Sequence, residues 1–207
     1  LQEGVTVKMP LGGSWNVPEG RFEVRGGGLR PVVITSFPDD EFGGDTDGTV
    51  GSPGTYWTGV NIGASALPSS LEHLVIRYGG RSGFTGFVID NPMVEVKALR
   101  VDRCAVIGAA MTNIAGDLDN CVVDSCGSNG LVLLGDSFDV NHATVTGCGG
   151  TGIDAQIGWT GFAYNSISWS NAANWAGFTA GRLIASNGDA ALAGTDGNIN
   201  VDPMFVD

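Results

Sequence analysis

One interval organises this chain. Gly86, Gly108, Gly130 and Gly152 stand 22 residues apart. Cys104, Cys126 and Cys148 keep the same spacing, and so do Val96, Leu118, Val140 and Phe162, also 22 apart. Three unlike marks sharing one period across residues 96–161 define an internal repeat without insertions. Units of this length cannot bury an apolar face alone, so they stack as a solenoid.

Aligning LEHLVIRYGG (71–80), VKALRVDRCA (96–105), LDNCVVDSCG (118–127), VNHATVTGCG (140–149) and FAYNSISWSN (162–171) shows the unit. Its sixth column is Ile76, Val101, Val123, Val145 and Ile167, apolar and β-branched as an inward strand position requires. The seventh column is Arg77, Asp102, Asp124, Thr146 and Ser168, read as facing outward. After a turn, each Gly opens a second strand with period-two pairs: Phe87/Ile89, Ala109/Met111, Leu131/Leu133, Ile153/Ala155 and Phe178/Ala180. Short strands with Gly and Asn at the corners leave no room for a useful helix, and a run of Leu typical of leucine-rich repeats is missing. The expected fold is an all-β, single-stranded, right-handed parallel β-helix of seven or eight coils, each about 22 residues long.

The chain of 207 residues is long enough for one domain with a real core. Its 34 glycines fit a fold with many tight corners. Within it, residues 1–35 read as the first coils, with strand-like alternation at Val5–Met9, Phe22–Arg25 and Val32–Thr35 and turns at LGGSWNVPEG and GGGLRP between them. Residues 36–68 are a long acidic loop, with Trp57–Ile62 returning as a strand. Residues 69–181 hold the regular coils, with a small insertion around Trp175. Residues 182–207 leave the register and close the far end. The opening shows no helix to cap the stack, so another segment or another chain is expected over it. The start at Leu1 is expected of a mature or trimmed segment.

Net charge is −12, so nucleic acid is not an expected partner. A polyanionic sugar would be repelled unless Ca²⁺ bridges it to the chain. No run has the length of a membrane helix. VITSFPDDEFGGDTDG, YWTGVNI, LEHLVIRYGG, NSISWSN and GNINVDPMFVD resemble secreted bacterial right-handed β-helix repeat proteins of the pectate-lyase-like superfamily. The resemblance implies the fold and a secreted or cell-surface location. It leaves activity open, because that superfamily holds lyases, glycosidases, epimerases and surface proteins, and fold does not give function.

Six groups of residues are candidates for chemistry. Asp39, Asp40, Glu41, Asp45 and Asp47 crowd a Gly-rich segment, and hard carboxylate oxygens on such a turn suit Ca²⁺; Asp39, Asp40, Asp45 and Asp47 are the candidate ligands, with a solvated acidic loop as the alternative. Arg77, Arg100, Asp102, Arg103 and Asp124 lie on adjacent coils, with Lys97 nearby. In a Ca²⁺-assisted polyuronate lyase, Arg77 or Arg100 would serve as base or clamp and Asp102 and Asp124 as metal or sugar ligands; the alternative is cross-coil ion pairing. The polygalacturonase and pectate-lyase segments that would accompany such activity are absent. Cys104, Cys126 and Cys148 read as stacked thiols, close enough for one disulfide, and Cys121 as core. His73 and His142 share a column three coils apart, too far for one metal. Tyr56, Trp57, Trp159, Tyr164, Trp169 and Trp175 could stack on sugars or pack under loops. The pattern Gly147-Cys-Gly-Gly-Thr-Gly152 matches GxGxxG but lacks the strand–helix unit of a dinucleotide site. The leading expectation is a non-catalytic extracellular scaffold that binds glycan or other copies of itself. A lyase is the alternative.

Overall fold

The structure is a computed structural model that describes every residue except 51, 52, 54, 55, 136, 180, 206 and 207. It is a parallel β-solenoid. Each coil contributes one strand to each of three parallel sheets of seven strands. The first sheet holds Thr6–Met9, Val32–Ser36, Leu74–Arg77, Arg100–Asp102, Val122–Asp124, Thr144–Thr146 and Ile167–Trp169. The second holds Ser14–Gly20, Gly59–Ala66, Thr85–Asp90, Ile107–Thr112, Leu131–Leu134, Thr151–Ala155 and Ala173–Ala176. The third holds Val24–Arg25, Ser69–Glu72, Val94–Lys97, Leu118–Asp119, Val140–Asn141, Ala163–Tyr164 and Leu183–Ile184. Among the described residues the only helical element is the turn Arg81–Gly83.

The repeat sets the register. Val101 lies opposite Ile76 and Val123, and Val123 opposite Val145. These residues are fully buried, as the sixth column predicts. The prediction fails one coil later. Val145 pairs with Ser168 and Thr144 with Ile167, so this coil carries one extra residue. Val140 accordingly faces Ala163, leaving Phe162 exposed. Trp175 pairs directly with Ile153, so it continues the second sheet instead of belonging to an insertion. Of the expected pair Phe178/Ala180, Ala180 lies outside the described residues, and Phe178 packs against Trp159 and Trp175 beyond the strand.

Two further findings concern the ends. The segment LGGSWNVPEG contains a strand, Ser14–Gly20, whose register shifts between Val17 and Glu19, around Pro18. Pro18 tolerates this place because a bulge removes the ladder bond that its nitrogen cannot make. At the other end the tail still pairs: Leu183 lies opposite Ala163, and Asn187 bridges Ile167 and Ile199.

Corners explain much of the composition. His73, Ala98, Asn120, His142 and Asn165 have φ between 49° and 59°, one at each of the later passages from the third sheet to the first, and Ala185, at φ 49°, follows the last strand of the third sheet. A single left-handed residue turns the chain there, a conformation that Asn tolerates best among non-glycines. The repeating glycine has a different cause. A Cβ on Gly86, Gly108 or Gly130 would stand 2.3, 2.8 or 3.0 Å from the Sγ of Cys104, Cys126 or Cys148. Each glycine thus leaves room for the thiol of the next coil, which is why the two marks share one period. Where the thiols end, Asn171 takes the place, and its Oδ1 accepts the Cys148 N–H at 2.9 Å.

Candidate functional site

The repeat places the seventh column on the outer face, and Arg77 and Asp102 do lie in register in the first sheet. Yet both are buried, at 1% exposure each. The acidic loop is the reason. After Ser36 the chain leaves the stack, folds back over the outer face of the first sheet, and returns at Gly59. Lys8 Nζ donates to the Gly44 carbonyl and, at 3.1 Å, to Thr46 Oγ1; Thr46 Oγ1 donates to the Phe37 carbonyl at 2.7 Å. These bonds tie the loop down.

Under it, each guanidinium nitrogen of Arg77 meets a different carboxylate. Nη1 is 2.9 Å from Asp39 Oδ2, Nη2 is 2.6 Å from Glu41 Oε2, and Nε is 3.1 Å from Asp102 Oδ1. Thr35 Oγ1 donates to Asp39 at 2.5 Å. The Phe42 and Tyr78 rings lie 4.9 and 5.2 Å from the guanidinium carbon. Below it, Trp57 Nε1 donates to the Arg77 carbonyl at 2.7 Å. Two more arginines complete the cluster: Arg103 reaches Glu41 at 3.2 Å, and Arg100 reaches Asp102 Oδ2 at 3.4 Å. Three cations balance three anions, so this burial is tolerable where a lone charge would not be.

The same contacts set the acidities. For Glu41, partial burial acts upward, but the bonds and charges of Arg77 and Arg103 outweigh it and hold the carboxyl below its ordinary range. For Asp102, burial wins over the three arginines, and the neighbouring Asp124 adds to it, so the carboxyl is pushed up.

The predicted site residues therefore separate into three places. Asp39 belongs to the arginine clamp. Asp40, Asp45 and Asp47 come together elsewhere on the loop, with one carboxylate oxygen from each within 4.8 Å of the others. That separation is what oxygens on a shared ion with bonds of about 2.4 Å span, so the trio fits Ca²⁺ in donor type and spacing. Asp124 lies opposite Asp102 but outside the loop's cover and is half-exposed. Arg77, Glu41, Phe42, His73, Arg100 and Asp102 line a cleft of about 260 Å³ between the loop and the Gly28–Pro31 turn. Glu41 and Phe42 gave no local sign of this role. The one available cue was Arg77 itself, a long cation in a column of otherwise short side chains.

Other candidates resolve as structure. All four cysteines are buried free thiols. Burial pushes Cys121 up to about 12, and hydrogen bonding along the thiol column raises Cys126 and Cys148 as well. His73 and His142 occupy corners, and His142 Nδ1 is 3.0 Å from Asp119. Trp57 and Trp159 are core, the latter donating to the Phe138 carbonyl at 3.1 Å. Trp175 donates to the Asn187 carbonyl at 3.1 Å, and Tyr56 packs 6.3 Å from Tyr78. Tyr164 stacks on Phe162 at 5.8 Å. Gly149 sits at a corner where a Cβ would be 2.5 Å from the Gly127 carbonyl oxygen, so the GxGxxG match is a packing pattern.

Fold and site together define the chain as an all-β parallel solenoid domain with a charge cluster clamped beneath a surface loop. Compared with protein families, curated proteins and solved structures, the chain matches none. No described helix is long and apolar enough to cross a membrane.

Proposed function

We propose that this domain is a non-catalytic, rigid extracellular scaffold of the pectate-lyase-like type that carries a glycan-binding surface, with a Ca²⁺ ion bracing its acidic loop. The observation that carries the reading is the state of Arg77. A lyase base must reach a substrate proton, and must shed its own proton to do so. Arg77 is buried and holds a carboxylate on each of its three nitrogens. Such pairing favours the charged form and fixes the side chain in place. Its evident work is to fasten the loop to the sheet. Repetition of one coil geometry with a continuous apolar interior supports the scaffold part of the reading.

The decisive assay mixes the protein with polyuronates and Ca²⁺ and follows ultraviolet absorbance for unsaturated products. No turnover is expected. Turnover abolished by Arg100→Ala would establish the lyase instead, with Arg100 as the reacting cation. The ion is tested by thermal unfolding. Ca²⁺ raises the midpoint and a chelator reverses it, whereas the Asp45→Asn/Asp47→Asn variant shows no response. A wild-type midpoint indifferent to Ca²⁺ would remove the ion from the proposal.

A further inference from the structure

The outer face of the first sheet carries groups that the clamp leaves unused. We propose that it is a track for a neutral, hydroxyl-rich glycan, running along the stack from the cleft at Arg100 to Trp169. This rests on the glycan-binding reading above and gives it a location and a ligand class.

One end of the track is the cleft. Arg100 is 53% exposed, and among the described residues its one polar side-chain partner is Asp102, at 3.4 Å. Most of its five N–H donors therefore remain for a ligand. His73 lines the same cleft, with no hydrogen-bond partner for its ring among the described residues. Glu41 is largely exposed and offers carboxylate lone pairs beyond those that its arginines use. Pro31, Phe42 and Val75 supply an apolar wall. Donors, acceptors and an apolar surface side by side suit a sugar ring, whose faces are apolar and whose rim is hydroxylated. Charge decides which sugar. The three arginines of the cluster are balanced by three carboxylates, and the whole chain carries −12. An added carboxylate gains no net attraction there.

The other end is Trp169. The column Asp102, Asp124, Thr146, Trp169 runs in register over four coils. At about 4.8 Å per coil, Trp169 stands about 14 Å from Asp102 along the stack. Of the five tryptophans, Trp15 packs on Phe22, and Trp57, Trp159 and Trp175 each donate to a buried or half-buried carbonyl. Trp169 has no such bond or ring contact among the described residues and is half-exposed on the outer face. An indole displayed without a packing role is a platform for the apolar face of a sugar. Between the two ends lie half-exposed Asp124, Thr144 and Thr146, short hydrogen-bonding side chains that leave the track open.

The test is calorimetric titration of the full chain with linear β-glucan, mannan and galactan tetrasaccharides, their monosaccharides, and tetragalacturonate. At least one neutral tetrasaccharide binds, tenfold or more tighter than its monosaccharide. Arg100→Ala and Trp169→Ala each weaken the tetrasaccharide tenfold or more, and only Arg100→Ala affects the monosaccharide. Phe162→Ala, on the third-sheet side of the stack, changes nothing. Should a substitution disturb the fold by circular dichroism, Arg100→Lys and Trp169→Phe replace it, with partial retention expected. Neutral binding that survives both alanine variants overturns the track while leaving the glycan reading intact. Tetragalacturonate bound tenfold tighter overturns the choice of ligand class. Absence of binding to every saccharide overturns both readings.

Discussion

The two halves of the stack share one backbone geometry and differ in what fills and covers it. In the N-terminal half the inward columns are aliphatic: Val32, Leu74 and Leu99 in one, Ile34, Ile76 and Val101 in the other, and the outer face is roofed by the acidic loop. In the C-terminal half the same columns shrink and turn polar. Cys121, Ala143, Ser166 and Ser186 follow Leu99, while Ser168 follows Val145. There the outer face carries no covering loop among the described residues. A solenoid can therefore hold one register with two chemistries. Dispersion and area burial stabilise the whole stack, and in the C-terminal half side-chain bonds to the backbone add to them.

The largest expected effect tests the covered face. Arg77→Ala strands Asp39 as a buried carboxylate without its cation and leaves Asp102 only the longer contact to Arg100, and loss of one partner from such a cluster costs about 3–5 kcal/mol. Chemical denaturation should show it, together with new proteolytic sensitivity in residues 37–47. Arg100→Ala, exposed and weakly paired, should cost under about 1 kcal/mol. Equal costs for the two would mean that burial does not distinguish the covered face.

Next come the interiors. Leu99→Ala empties volume in the aliphatic half and is expected to cost about 2–5 kcal/mol. Ser166→Ala removes no comparable volume. It takes away the oxygen that accepts the Ala143 N–H at 3.1 Å, and leaving that buried donor unmet costs about 1–3 kcal/mol. Ser166→Cys, which keeps the size but weakens the acceptor, should resemble Ser166→Ala. If Ser166→Ala stabilises the fold instead, the polar half is held by packing after all.

A smaller effect lies in the pH dependence of the clamp. The Glu41 carboxyl is held below its ordinary value of 4.5, so its contribution is fully present above that pH. It is lost as pH falls through the lowered folded value. Because Glu41 is mostly exposed, the effect stays under about 1 kcal/mol. Asp102 runs the other way: its folded carboxyl is raised, so acidification relieves the burial of its charge. The stability difference between wild type and Glu41→Gln should vanish in acid, and an undiminished difference there would rule out this linkage.

How much of this was readable in advance follows from the range of the interactions. The 22-residue columns at Val101, Val123 and Val145 were plain because the repeat is local and regular. The slip after Val145 was not. Ile167 looks like an inward residue, and Ser168 does not, until its hydroxyl is seen to donate to the Asn174 carbonyl. The strand Ser14–Gly20 was hidden by glycines and by Pro18, which read as turn chemistry unless a bulge is assumed. The clamp was least legible. Asp39 meets Arg77 across 38 residues of chain, and no periodicity links a loop to the face on which it lands. The acidic residues were visible as a group, but only the fold divides Asp39 from Asp40, Asp45 and Asp47.

The finest comparison uses two aspartates. Asp102 and Asp124 are direct register partners in one column, one beneath the loop and the other beyond it. If position in the sheet set their behaviour, Asp102→Asn and Asp124→Asn would act alike. The surroundings predict otherwise. Asp102→Asn weakens a charged bond to the buried Arg77, a loss of about 1.5–3 kcal/mol, partly offset because its ionised form carries a burial cost. Asp124→Asn deletes a charge whose effect on Asp102 is to raise its carboxyl further. Removing it relieves a repulsion and should move stability by no more than about 0.5 kcal/mol, in the favourable direction. The Asp102 titration, followed by carboxyl carbon chemical shift, should drop slightly in Asp124→Asn. A destabilisation by Asp124→Asn as large as that by Asp102→Asn would show that cross-coil pairing in the column, and not the cover supplied by residues 37–47, determines what these charges do.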